Sequence, residues 1–378
     1  MRKKKPKCDL TGVHILLIDE VSQLTGKMLD EIDVKCRELK KRKDLPFGGM
    51  HVILCGDFIQ LPPVCADPLY RTPGGIFQKF QVNVLTEQMR STDEAHNRNV
   101  DVMRRMDGEN PMDSFDFGKY ANLGARDLAD DNWKFATHVV TRNKLRRCIN
   151  YEQALRWSAQ RSVPFVTWNV KCPRIESQSA EAALQRVWGR LPVDQDSLAM
   201  YAQDAPCVLT ANINPEIGLC NGTSAVMHAL GFYDEEKHEE LEQRIAAAQP
   251  GERIHLLQAP DYIMVKIGKG DDAVVIPIQQ GYDKVSLGKK EIPCLRHMVE
   301  LGFAITYWKV QGQTLPNAIL HLSGMRCNTV FSMFLVGISR VKRGSHLRFF
   351  PPNAAEKNAI AQAVPDDALR RYMENLKK

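Results

Sequence analysis

Two acids, Asp19 and Glu20, end the apolar run at 14–18 in the stretch HILLIDEVSQL. An acid delivered to the carboxyl end of a strand suits a magnesium ion bound to a nucleotide phosphate. Asp19 would take that metal-side role, and Glu20 would orient and polarise the attacking water. Read alone, the pair serves equally well as a helix cap, because acids favour helix N-termini. A second stretch, GDFIQLPPV at 56–64, has the same layout. Gly56 allows a tight exit from a strand, and Asp57 and Gln60 fall on the same sheet edge as Glu20. Gln60 is neutral, so its amide can donate to a phosphate and accept from water at once. Pro62 and Pro63 stiffen the segment beyond it.

These residues need elements to hold them. Residues 14–18 read as a strand, and 25–43 as a helix with Met28, Ile32, Cys36 and Leu39 at helical spacing. MHVILCGD is a second apolar strand, and QVNVLTEQMR at 81–90 reads as a third that delivers Arg90. Strands alternating with crossovers predict a parallel, doubly wound α/β sheet, whose ligands bind beyond the carboxyl ends of the strands. A helix is expected over 94–107 and a boundary over 108–132. FATHVVT is then a strand and NKLRRCINYEQAL a helix. Two strands are expected over 205–228, with a turn at Asn221-Gly222. A charged helix comes next at 232–249, a small β insertion within about 229–296, and a short amphipathic helix at 365–378.

Composition narrows the classes. Lys and Arg exceed Asp and Glu by 51 to 45, a net charge of +6, which permits a nucleic-acid partner without demanding one. The ten cysteines form no C-x-x-C pair and no zinc spacing, and they read as reduced, buried thiols of an intracellular protein. No apolar run approaches a membrane span. The basic runs MRKKKPK and KKRK (40–43) read either as nuclear-import signals or as solvated charge.

The two acidic stretches together resemble motifs II and III of superfamily-1 DNA helicases of the PIF type, a group that includes the helicase parts of Helitron transposons. Later segments agree in order: LTEQMR, VVTRNKLRRCIN, IGLCNGT, FAITYWKVQGQTL and VGISRV. The resemblance runs from about residue 10 to 350. It implies two RecA-like domains of the P-loop NTPase type, 1–130 and 131–378, the first of them truncated. It implies ATP and Mg2+ as cofactors, and 5′ to 3′ unwinding driven by hydrolysis. Single-stranded and forked DNA would be the partners of a monomer. Arg90 would contact ATP, and Arg340 would be the arginine finger that reaches the γ-phosphate from the second domain. Asp19, Gly56, Asp57, Gln311 and Gly312 would line the nucleotide site. Asn143, Thr306, Lys309, Gln313 and Thr314 would meet DNA. Motif V departs from the family pattern, with Thr306-Tyr307-Trp308-Lys309 where the family usually reads Thr-Ile-Asn-Lys. Trp308 reads as a core residue or a base-stacking platform. The family works in repair, recombination and telomere maintenance, in nuclei and mitochondria, and nuclear residence is the expectation here.

One part of the pattern is missing. A phosphate cradle is G-x-x-x-x-G-K-[ST] between a strand and a helix. The four Gly-Lys pairs, in TGKM, FGKY, IGKG and LGKK, all lack the Ser or Thr. The family carries its cradle N-terminal to motif II. The expectation is therefore a piece of a helicase that does not hydrolyse ATP alone. Its alternative is a DNA-binding protein derived from a decayed transposon helicase.

Overall fold

The computed structural model describes residues 10–72, 74–105, 110–170, 198–268, 270–287, 290–325 and 329–376. The N-terminal basic run lies outside them. Two compact units emerge, Met1–Leu123 with Val310–Lys378, and Gly124–Lys309. Residues 310–378, expected in the second motor domain, group with the first unit. Their strands Ala318–Leu320 and Leu347–Phe349 run parallel, and the latter also pairs with Ala121–Asn122. A linear reading cannot show such a return.

In the first unit, strand β1 (Ile15–Ile18) lies parallel to β2 (His51–Leu54) in flush register, Ile15 opposite His51 and Ile18 opposite Leu54. The crossover helix Gly26–Leu39 starts where expected, because the Thr25 hydroxyl accepts the Met28 N–H at 3.1 Å and caps it. Its Leu29 and Cys36 join Val21, Leu24, Phe47 and Leu69 in a buried cluster. Leu16, Ile18, Val52 and Leu54 pack against that cluster. Side chains alternate across a strand, so Ile15, Leu17 and Ile53 face the other way and stay about half exposed.

The third strand expected at 81–90 does not form. Residues 81–89 have no regular structure, and Val82, Val84 and Leu85 are exposed, Leu85 to 93%. Extended backbone becomes a strand only when a neighbour satisfies its N–H and C=O groups, and none of the described strands pairs with this segment. The helix Glu94–Arg104 comes next, close to expectation. Val330–Ile338 is buried on every side. Its Phe334 ring packs edge-on to Phe115 and stacks on Phe349, which fixes the helix end that carries Arg340.

In the second unit, Thr137–Val140 pairs in parallel with Ala304–Thr306. The helix Asn143–Arg161 is stitched to that region by Asn150, whose amide donates to the Leu301 carbonyl and accepts the Ala304 N–H. The β-rich part is larger than the expected insertion. A six-stranded sheet takes strands from Pro206–Leu209 to Val299–Leu301, and Glu235–Ala247 is the charged helix between two of them. Among the described residues no helix is long and apolar enough to cross a membrane.

Candidate functional site

The flush register of β1 and β2 sets the site. The Cys55 N–H donates to the Ile18 carbonyl at 2.8 Å, and the Val21 N–H donates to the Cys55 carbonyl at 2.9 Å. The two exits, Asp19-Glu20 and Gly56-Asp57, therefore leave the sheet side by side. Gly56 sits at φ 140°, where an added Cβ would meet the Val21 nitrogen at 2.7 Å. Only glycine fits there.

Glu20 is left-handed, φ 55° and ψ 47°. A non-glycine residue pays about 1–2 kcal/mol for that conformation, so neighbours must hold it. The Glu20 N–H donates to Asp19 Oδ1 at 2.8 Å. The Gln311 amide donates to Glu20 Oε2 at 2.5 Å and to the Ser22 hydroxyl at 3.0 Å. Gly312, at φ 78°, favours glycine by its backbone, and a Cβ there would approach Glu20 Oε1 to 2.9 Å. Gln311 thus holds the Glu20 carboxylate, and the Gly312 turn passes close beside it. Ser22 was missed in the sequence, although it lies two residues after Glu20.

Three arginines converge on the same unit. Arg340 is 1% exposed and donates to the Val336 carbonyl (2.9 Å), the Ser339 hydroxyl (2.7 Å) and the Gln313 carbonyl (3.5 Å). Each of these acceptors is neutral. Burial, with Arg90 and Arg104 nearby, lowers its pKa to about 10, against the opposing pull of Glu20 and Asp57. Arg90 donates to the Thr314 hydroxyl and the Ser339 carbonyl, and burial lowers its pKa as well. Arg104 pairs with Asp57 Oδ2 at 3.1 Å. No sequence motif announced Arg104, because it closes a helix and joins the site only in three dimensions. Gln313 contributes its backbone to this cluster, and its N–H donates to the Val310 carbonyl.

Buried polar atoms without a hydrogen-bond partner mark the same place: Gln60 Oε1, Gln311 Oε1 and Arg104 Nε. Such atoms are costly unless a ligand or water meets them. Crowded guanidinium groups beside orphaned amides fit a polyphosphate. Asp19 is exposed and suits a metal ion that takes its other ligands from phosphate and water. Among the described residues no three His, Cys, Asp or Glu side chains gather as a metal site of their own.

The remaining candidates lie in the second unit. Asn143 is exposed at the first turn of its helix and accepts from Arg146 Nε at 3.3 Å. Thr306 is buried at a strand end. Trp308 is partly buried, with its indole N–H lacking an acceptor. Burial lowers the pKa of Lys309, opposed by Glu300. Burial pushes the Glu300 carboxyl up, but Arg146, Arg296 and Lys309 outweigh it and hold it at about 2. Arg146 and Arg296 both ion-pair with Glu300, and Arg296 also bonds Asp283. A carboxyl depressed in the folded state stabilises above its ordinary value of 4.5. That contribution disappears as pH falls from 4.5 toward 2. Glu300→Gln should therefore cost about 3 kcal/mol at pH 7. In acid titrations followed by circular dichroism, the gap between variant and wild type should close below pH 4.5. A gap that persists at pH 2 would show that the loss is packing and not charge.

Comparisons with known proteins bear on the family and the fold. A family model described as PIF1-like helicase matches residues 1–103. The ATP-dependent DNA helicase Pif1 of Psychrobacter sp. (strain PRwf-1) is 24% identical over 362 residues, covering 85% of this chain and 51% of that protein. The ATP-dependent DNA helicase PIF1 of Saccharomyces cerevisiae (strain YJM789) is 49% identical over 57 residues, covering 15% of this chain and 6% of that protein. The chain spans about half or less of the curated relatives it matches. Among solved structures, Bacteroides Pif1 bound to single-stranded DNA aligns with a TM-score of 0.63 at 19% identity, covering 97% of this chain and 76% of that one. Candida albicans Pif1 helicase aligns with a TM-score of 0.58 at 16% identity, covering 96% of this chain and 77% of that one. The fold is thus the α/β, RecA-like fold of those helicases, and the chain is similar to PIF1-like helicases over residues 1–103.

Proposed function

We propose that this chain is part of an ATP-driven DNA helicase and carries its hydrolysis-sensing and DNA-holding residues. One observation carries the reading: Glu20, Gln60, Arg90 and Arg340 converge in one compact unit with orphaned amides and a guanidinium bonded only to neutral oxygens. ATP with Mg2+ supplies the reactive γ-phosphate. Asp19 holds the metal side. Glu20 takes up the proton of the attacking water while Gln311 and Gly312 fix its carboxylate. Gln60 donates to the phosphate and accepts from that water, and Asp57 sets the loop beneath it. Arg90 and Arg340 neutralise charge that develops as the bond breaks. Asn143, Thr306, Lys309, Gln313 and Thr314 hold single-stranded or forked DNA. Unwinding runs 5′ to 3′ in a nuclear protein that serves repair, recombination or telomere maintenance.

The 378 residues contain no G-x-x-x-x-G-K-[ST], and positioning is most of the catalysis in phosphoryl transfer. This polypeptide alone therefore binds DNA without turning over ATP, while a fusion to a family segment that carries the cradle releases phosphate. The first test titrates labelled single-stranded DNA against the chain alone. Neutralising about four phosphates would weaken binding about fifty-fold between roughly 50 and 200 mM salt. No binding at low salt would remove the DNA-holding role. Robust hydrolysis by the unfused chain would show that another segment cradles the phosphates.

A further inference from the structure

The loop 57–60 is a tight turn. The Ile59 N–H donates to Asp57 Oδ1 at 3.0 Å, and the Gln60 N–H donates to the Asp57 carbonyl at 3.0 Å. A turn so closed moves as one body, and Phe58 is its handle. The Phe58 ring meets Tyr70 and Phe77 edge-on, and it meets Tyr372 at 5.4 Å between centroids, 87° between planes. Tyr372 also touches Tyr70 and Phe77, so one side chain closes the whole aromatic cage.

Tyr372 belongs to the helix Asp367–Asn375, which is latched in place. Asp366 caps it by accepting the Ala368 N–H at 2.9 Å and ion-pairs with Arg71. Leu369, on the buried side of the same helix, is 3% exposed. Burial, with the Asp366 carboxylate adding to it and Arg71 opposing it, raises the neighbouring Tyr70 hydroxyl to about 12.

We infer that this helix is the positioning element of the 57–60 loop, Tyr372 holding Phe58 so that Gln60 stands where a phosphate and its water would meet it. The inference rests on the functional reading above for what Gln60 does, but not for the contact itself. Without the Tyr372 ring the cage loses one wall, and edge-on aromatic packing holds only while its rings are confined. The turn would then sample other orientations, and Gln60 would stay in place only part of the time.

The test is hydrogen exchange on the 378-residue chain, comparing wild type, Tyr372→Ala and Tyr372→Phe. Tyr372→Ala should speed exchange at residues 58–61 by about tenfold or more, with Ala318–Leu320 and Leu347–Phe349 unchanged. Tyr372→Phe keeps the ring and should restore wild-type exchange. Asp366→Asn, which loosens the latch but spares every ring, should shift exchange the same way by a smaller factor. Unchanged exchange at 58–61 in Tyr372→Ala, or equal acceleration in the two reference strands, overturns the inference. So does failure of phenylalanine to rescue. In a cradle-bearing fusion, Tyr372→Ala should lower kcat for phosphate release and leave KM for ATP in place. A parent fusion without any hydrolysis counts against the helicase reading, while the exchange result still decides the role of the helix.

Discussion

Glu20→Gln, placed in a cradle-bearing fusion, is expected to bind nucleotide as the parent does and to lose turnover by about two to four orders of magnitude, the usual worth of a positioned general base. The amide is nearly the size of the carboxylate, so the left-handed turn and the Gly312 contact survive. Gln311 can still donate to the new side-chain oxygen. What disappears is the ability to take up a proton. Fluorescent ATP analogues report binding, and DNA-stimulated phosphate release reports turnover. Equal loss of both would mean that Glu20 holds nucleotide and does no proton chemistry. Undiminished turnover would move the base elsewhere.

Arg340→Ala in the same fusion should slow hydrolysis by about three orders of magnitude or more, as removal of an arginine finger does. Arg340 is buried, bonds only neutral oxygens and sits with Arg90 and Arg104 close enough to depress its pKa. A polyanion relieves that crowding, and the transition state offers more negative charge to it than the ground state. Arg340→Lys should not rescue, because a single ammonium cannot keep the Val336 and Ser339 contacts while reaching a phosphate. Single-turnover phosphate release measures the step, and circular dichroism checks that the fold persists. A loss of less than tenfold in folded protein would reduce Arg340 to a structural tie.

The sequence made the site legible where chemistry and local order coincide. LLIDE and VILCGD announce both strands and the three acids at their ends, and Thr25 marks the helix start. Two kinds of feature escaped. One depends on a partner: Val82, Val84 and Leu85 have strand-like composition, yet a strand exists only beside another. The other depends on the return of the chain. Gln311 and Gly312 could be assigned to a nucleotide site from VQGQT, but their grip on Glu20 joins residues 291 apart, and no local pattern encodes that. Arg104, Phe58 and Tyr372 belong to the same class. Each looks like an ordinary helix or loop residue until distant segments meet.

The outward face of β1 and β2 bears on how solutions of this polypeptide behave. Ile15, Leu17 and Ile53 show water an apolar surface, and the extended segment at 81–87 adds Val82, Val84 and Leu85. Apolar patches and unpaired extended backbone are what neighbouring molecules stick to. Light scattering should therefore rise with protein concentration and with sulfate, which strengthens apolar contacts. A charged substitution at Leu17, which is 61% exposed, should clear the solution.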